Sequence, residues 1–160
     1  MKVAIYARVS TSDRDQDPET QLMPLREFAR ARDWETHHEY VDFASASDPY
    51  RRVQWRRLLD DAASRRFRAV VVFKLDRAFR SVKDMHDTLE AWEMVGVGFQ
   101  SMREQFDTDT PIGRLMLTML AAIAEFDQVL YIDPEHAAAY LKRAEAFVAR
   151  GNLERSISDF

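Results

Sequence analysis

"VAIYARVSTSDRDQDP", residues 3–18, opens on five consecutive apolar side chains and then turns polar. Val3, Ala4, Ile5, Tyr6 and Ala7 fit a short strand buried on both faces of a parallel sheet. Asp17-Pro18 reads as a helix start, an N-cap residue with proline at the first helical position. About seven residues, Ser10 to Gln16, then separate strand from helix, more than the usual two to six of a βα connection. A long polar loop at the carboxyl end of a buried strand is where open α/β sheets bind their ligands. This one brings Arg8, Ser10, Thr11 and Ser12 together.

Outward from that stretch, strands and helices alternate. Residues 18–32 place Leu22, Leu25, Phe28 and Ala29 on one helical face, with Pro24 as an early kink. Residues 36–41 form a modest strand, and 42–50 a small, polar loop. Trp55, Leu58, Leu59 and Ala62 recur at helical spacing within 53–66. "AVVVF", residues 69–73, is the clearest buried strand. Residues 82–95 form a helix with Met85, Leu89, Trp92 and Val95 inward, and "VGVGF", residues 95–99, supplies a fourth strand. The expectation is an α/β fold: a mostly parallel sheet of about four strands, covered by helices on both faces.

After Phe106 the character changes. The loop "DTDTPIG" leads into residues 112–132, a helix about 30 Å long. Leu115, Met116, Leu117, Met119, Leu120, Ile123 and Phe126 make it apolar on more than one face, so a second copy of the chain is expected to cover part of it. Asp133-Pro134 ends that helix, Gly151 is expected to close a further amphipathic helix at its C′ position, and Asn152 to cap another. Three parts result: a core over residues 1–106, a loop and long helix over 107–132, and a short helical tail over 133–160.

Composition bounds the function. With 46% hydrophobic and 31% charged residues, the 160-residue chain has the make-up of one globular domain. No apolar run approaches the roughly 18 residues a membrane span needs, and the N-terminus lacks a signal-peptide layout, so a cytoplasmic location and no membrane partner are expected. Without cysteine there is no disulfide or thiolate metal site. The net charge of −4 is unlike that of a stand-alone nucleic-acid binder, yet arginine outnumbers lysine by 19 to 4 and is clustered. Arginine's planar fork suits bidentate phosphate contact, although a run such as 56–68 also reads as a solvated helix face.

Two strand ends carry the chemistry. The first offers Arg8, Ser10, Thr11 and Ser12; the second, in "VVVFKLDRAFR", offers Lys74, Asp76, Arg77 and Arg80. Taken singly, Ser10 fits a capping hydroxyl and Asp76-Arg77 a structural ion pair. Side by side, hydroxyls, guanidiniums and a carboxylate suit phosphoryl transfer, with the arginines stabilising charge on phosphate oxygens. There is no glycine-rich phosphate loop, only four glycines in all, and no metal-ligand spacing among His37, His38, His86 and His136. No cofactor and no metal are expected. Chemistry on a small nucleotide is a weaker alternative, one that calls for a closed pocket at the strand ends.

"YARVSTSDRDQDPETQ" and "VVVFKLDRAFRSVKDM" closely resemble two signature segments of the serine site-specific recombinases, the resolvase, invertase and large serine integrase family. "TDTPIGRLMLTMLAAIAEFD" is similar to a third, the start of that family's dimerisation helix, and the likeness covers residues 1 to about 127. The resemblance implies DNA cleavage and rejoining through a covalent 5′-phosphoserine intermediate. It implies Ser10 as nucleophile, and Arg8, Arg77 and Arg80 as the arginines on the scissile phosphate. Arg52 is implied as a further active-site arginine, with Arg51 as the fallback. Tyr6, Gln21, Asp42, Lys74 and Asp76 fall on supporting positions, Asp76 orienting arginines or helping to move protons. DNA is the implied partner, met at its phosphate backbone, along with a homodimer or tetramer through residues 112–132.

From Asp127 the sequence departs from that family. The tail resembles part of a tetratricopeptide repeat, a helical hairpin with Tyr140, Ala144 and Phe147 on its first helix. A natural fusion, a truncated gene and an engineered junction would each account for it. No helix-turn-helix, zinc module or basic arm is legible, so stand-alone recombination is expected to be feeble or undetectable. The alternative is a non-catalytic protein derived from a recombinase, which dimerises through 112–132 or docks partners through its tail.

Overall fold

The computed structural model describes residues 1–9, 17–44, 50–132 and 137–158. Five strands, β1 (Lys2–Val9), β2 (Glu35–Phe43), β3 (Ala69–Val72), β4 (Gly98–Ser101) and β5 (Phe106–Asp107), form one sheet in the order β2-β1-β3-β4-β5. The first four are mutually parallel, and the two-residue β5 runs antiparallel to β4, one strand beyond the four expected. Strand order reverses between β1 and β3, the crevice where doubly wound sheets take their ligands.

Alternation along the strands sorts the core into two layers. Val3, Ile5 and Ala7 of β1, with Ala69 and Val71 of β3, pack on Leu22, Leu25 and Ala29 of α1 (Glu19–Arg30). Ala4, Tyr6, Val70 and Val72 face the other way. There α2 (Val53–Ala63), α4 (Val82–Val95) and α5 (Pro111–Ile132) bring Trp55, Leu58, Met85, Leu89, Trp92, Met116 and Leu120. Each large side chain buried this way contributes about 1.5–3 kcal/mol. The sheet is therefore covered on both faces, as expected.

Helix ends follow local chemistry. The Asp17 carboxylate accepts the Glu19 N–H at 3.0 Å, so α1 begins where Asp17-Pro18 indicates. Ser81 caps α4 by accepting the Asp84 N–H at 3.1 Å, and Gly96 ends that helix in the left-handed region at φ 74°. That cap displaces the fourth strand: it was expected at 95–99 and runs Gly98–Ser101, because Val95 closes the helix and Gly96 turns the chain. At the start of α5, the Thr110 hydroxyl accepts the Gly113 N–H at 3.0 Å. Gly113 is required there, since a Cβ would lie 1.7 Å from the Asp107 carbonyl oxygen.

Two features differ from the sequence reading. A single turn, α3 (Leu75–Ala78), follows β3. It is too short for any periodicity, and tertiary bonds hold it. The tail is one helix, α6 (Ala137–Ser158), rather than the hairpin of a tetratricopeptide-like unit. Gly151 takes no left-handed conformation and stays inside the helix. A helical glycine costs only about 1 kcal/mol relative to alanine, and its neighbours favour helix. Among the described residues, no helix is long and apolar enough to cross a membrane.

Candidate active site

The carboxyl ends of β1, β2 and β3, the start of α2 and the turn α3 converge on three arginines. Arg8, the penultimate residue of β1, points to the same face as Tyr6 and is only 6% exposed. Its guanidinium closes on three main-chain carbonyls: Nε on Arg77 at 3.0 Å, Nη2 on Asp76 at 2.9 Å and Nη1 on Ala44 at 2.9 Å. These bonds use three of the five N–H donors of a guanidinium. Burial pushes the Arg8 pKa below its ordinary value, and the neighbouring charges of Arg77 and Arg52 act in the same direction against Tyr6 and Asp76.

The main chain of Arg8 is held separately. Pairing of β1 with β3 stops at Tyr6–Val72, because the chain turns away into α3. Gln21 of α1 serves where a strand would have, its Nε2 donating to the Arg8 carbonyl at 3.0 Å. Gln21 is buried, and its role is to finish the edge of β1.

Arg52, at the N-cap position of α2, is buried too. Its Nη2 donates to the Ala78 carbonyl at 2.6 Å and its Nε to the Tyr6 hydroxyl at 3.2 Å. The guanidinium also lies over the Trp55 ring, 4.6 Å from its centroid. Arg51 is exposed, so of these two arginines the structure brings Arg52 into the cluster. Asp42 sets that geometry. One of its oxygens accepts the Gln54 N–H at 2.9 Å; the other accepts the Trp55 N–H at 2.8 Å and the Tyr6 hydroxyl at 3.1 Å. It caps α2 from β2 and fixes Tyr6 between itself and Arg52. Burial raises the Tyr6 pKa well above its ordinary value, with Asp42 adding to the rise and Arg52 opposing it. The phenol stays protonated, a donor to Asp42 and an acceptor for Arg52.

Arg77 and Asp76 stand on α3, with Arg77 Nε 3.7 Å from an Asp76 oxygen. Lys74 is the N-cap residue of that turn, in extended conformation. Arg80 sits apart, half exposed at the head of α4, with its Nε 3.9 Å from Asp84. Ser10, Thr11 and Ser12 lie outside the described residues. So Arg8, Arg52, Arg77, Asp76, Tyr6, Asp42 and Gln21 form one connected cluster, and Arg80 lies on its flank.

Sequence reading missed Glu104, whose carboxylate accepts the Leu75 N–H at 3.2 Å and the Ser101 hydroxyl. Nothing in "SMREQF" marks it, because its partners lie in the α3 turn and at the end of β4. Chemically, the cluster is an anion-attracting centre built on rigid strand ends, with guanidinium forks suited to a phosphodiester.

The family model described as "Resolvase, N terminal domain" matches residues 3–146. The chain is 35% identical over 148 residues to the probable DNA-invertase y4cG of Sinorhizobium fredii, covering 92% of this chain and 43% of that protein. It spans about two fifths of the length of the first curated relatives it matches. The N-terminal catalytic domain of TP901-1 integrase is similar with a TM-score of 0.72 and 36% identity, covering 81% of this chain and 98% of that one. A resolvase family site-specific recombinase from Streptococcus pneumoniae gives a TM-score of 0.72 at 27% identity, with 91% and 99% covered. Matched along residues 3–146 and sharing its fold with two solved recombinase domains, this chain belongs to the resolvase family of serine recombinases.

Proposed function

We propose that this chain is the catalytic part of a site-specific DNA recombinase, and that Ser10 is its nucleophile. The observation that carries the reading is the convergence of Arg8, Arg52 and Arg77 where strand order reverses, one residue of chain before Ser10.

In this mechanism the Ser10 oxygen attacks the scissile phosphorus and loses its proton. A bond forms between that oxygen and phosphorus while the bond to the 3′ oxygen breaks. The departing 3′ oxygen takes up a proton, leaving a 5′-phosphoserine link and a free 3′-hydroxyl. The number of phosphoester bonds is unchanged, so attack by a 3′-hydroxyl in the reverse direction rejoins DNA without an outside energy source. Arg77 and Arg80, whose side chains are accessible, grip the phosphate. Arg8 adds positive charge behind them, and Arg52 and Asp42 hold the frame. Asp76 orients Arg77 and assists proton movement.

Residues 1–106 form the catalytic core in this reading, 107–132 the connection and dimerisation helix, and 133–160 a helical extension. Support for self-association comes from α5, whose Ile112 and Leu115 are 47% and 46% exposed while Met116, Leu120 and Ile123 are buried. Phosphate contacts alone give salt-sensitive binding of roughly 10⁻⁴–10⁻⁶ M, so residues 1–160 by themselves recombine DNA feebly.

The test is incubation with a nicked DNA carrying a recombination site from the source genome, followed by denaturing gel separation. A covalent protein–DNA adduct that disappears in Ser10→Ala is expected. An adduct unchanged by that substitution would remove Ser10 from the mechanism, and tight self-association without any adduct would favour a non-catalytic role.

A further inference from the structure

We infer that Glu104 is a positioning residue for the arginine centre: from the turn after β4 it pins the start of α3, and so sets where Arg77 stands. The inference rests on the strand-transfer reading above.

A four-residue helix cannot hold itself. Most of its main-chain groups lack internal partners, and one isolated turn costs more conformational entropy than its hydrogen bonding returns. The residue before it, Lys74, makes no side-chain cap. Position and direction must come from outside, and each end is held. At the carboxyl end, Arg8 takes the carbonyls of Asp76 and Arg77, and Arg52 takes that of Ala78. At the amino end, Glu104 accepts the Leu75 N–H at 3.2 Å.

Glu104 reaches this place because the β3–β4 ladder continues past both strands. The Met102 N–H donates to Val72 and the Arg103 N–H to Phe73, each at 3.0 Å, which delivers the next residue opposite the head of α3. The Ser101 hydroxyl, on a residue only 2% exposed, donates to the carboxylate oxygen that Leu75 also uses. The carboxylate is thus tied to the sheet on one side and to α3 on the other. Without it, the amino end of α3 would keep only the packing of Leu75 on the core and the link to β3, and the turn could pivot about the Arg8 and Arg52 contacts. Leu75, at the freed end, would move most, and the Arg77 side chain would be re-aimed as the turn swings about its own carbonyl contact with Arg8.

The experiment compares wild type with Glu104→Ala and Glu104→Gln in two measurements. Amide hydrogen exchange reads α3 directly and needs no DNA. Single-turnover adduct formation over a DNA concentration series separates the cleavage rate at saturation from binding. Glu104→Ala is expected to speed exchange at Leu75–Ala78, and to lower the saturating cleavage rate on the order of 10- to 100-fold with the half-saturating DNA concentration little changed. Glu104→Gln keeps an acceptor oxygen and is expected to recover most of the rate. Unchanged exchange across α3, or an unchanged cleavage rate in Glu104→Ala, would overturn the positioning role while leaving Ser10 chemistry intact. A loss carried wholly by DNA affinity would overturn it too. A wild-type chain that forms no adduct would overturn the strand-transfer reading, and this inference with it.

Discussion

Arg52 donates to the main-chain carbonyl of Ala78 across 2.6 Å, tying the first residue ahead of α2 to the last residue of α3. Arg52→Lys keeps the charge and loses the fork that serves Ala78 and Tyr6 together. One buried acceptor is left unpaired, at a cost of about 1–3 kcal/mol. The urea midpoint is expected to fall in both Arg52→Lys and Arg52→Ala. An unaltered midpoint in Arg52→Lys would mean that a point charge suffices.

Asp42→Asn probes the same frame from β2. Both donors at one Asp42 oxygen, the Trp55 N–H and the Tyr6 hydroxyl, would meet an NH₂ group if the amide turned that way. Turned the other way, the NH₂ would face the Gln54 N–H. Either orientation sets donor against donor at the head of α2, and about 1–3 kcal/mol of stability is expected to go. Tyr6→Phe relieves one of these conflicts, so the double variant is expected to lose less than the two single losses added together. Chemical denaturation of the four proteins checks this.

Gly113→Ala places a methyl group against main chain, 1.7 Å from the Asp107 carbonyl oxygen, where rotating a side chain gives no relief. Separation of β5 from the first turn of α5, with a loss of about 1–3 kcal/mol, is expected in thermal melts. A melt equal to wild type would show that the junction yields easily.

Acid weakens one specific contact. Arg26 donates Nε and Nη2 to the two Glu39 oxygens at 2.7 Å each, and these bonds hold the Glu39 carboxyl below its ordinary range against the opposing effect of burial. A depressed carboxyl pKa contributes stability above the unfolded value of about 4.3, and that contribution disappears as pH falls through the folded value. Glu39→Gln is therefore expected to be less stable than wild type at pH 7, by a small margin because solvent screens the pair. The margin should close as the pH is taken below about 4. A constant difference from pH 7 to pH 3 would assign the effect to packing.

Legibility from sequence followed how local each cause is. The β1 and β3 runs declare buried parallel strands because both faces are apolar, and Asp17-Pro18 marks the start of α1 by capping. By contrast, β4 starts three residues later than "VGVGF" suggests, since that stretch contains both a helix cap and a strand start. The turn α3 and Glu104 were invisible because their stability comes from side chains far along the chain. Arg8 stands out in the sequence as a cation at a strand end, yet its burial and three carbonyl partners do not. The break expected at Gly151 failed for the opposite reason: one glycine is a weak signal within a run of good helix formers.

The most direct measurement is mass spectrometry of the trapped protein–DNA species after nuclease and trypsin digestion. Cleavage after Arg8 and Arg14 yields the fragment of residues 9–14, which holds three hydroxyls, at Ser10, Thr11 and Ser12. The account predicts a nucleotide 5′-phosphate carried on Ser10 alone and strongly depleted in Arg77→Ala, where the phosphate has lost one of its two accessible guanidiniums. The same mass on Thr11, on Ser12 or on another fragment would contradict it.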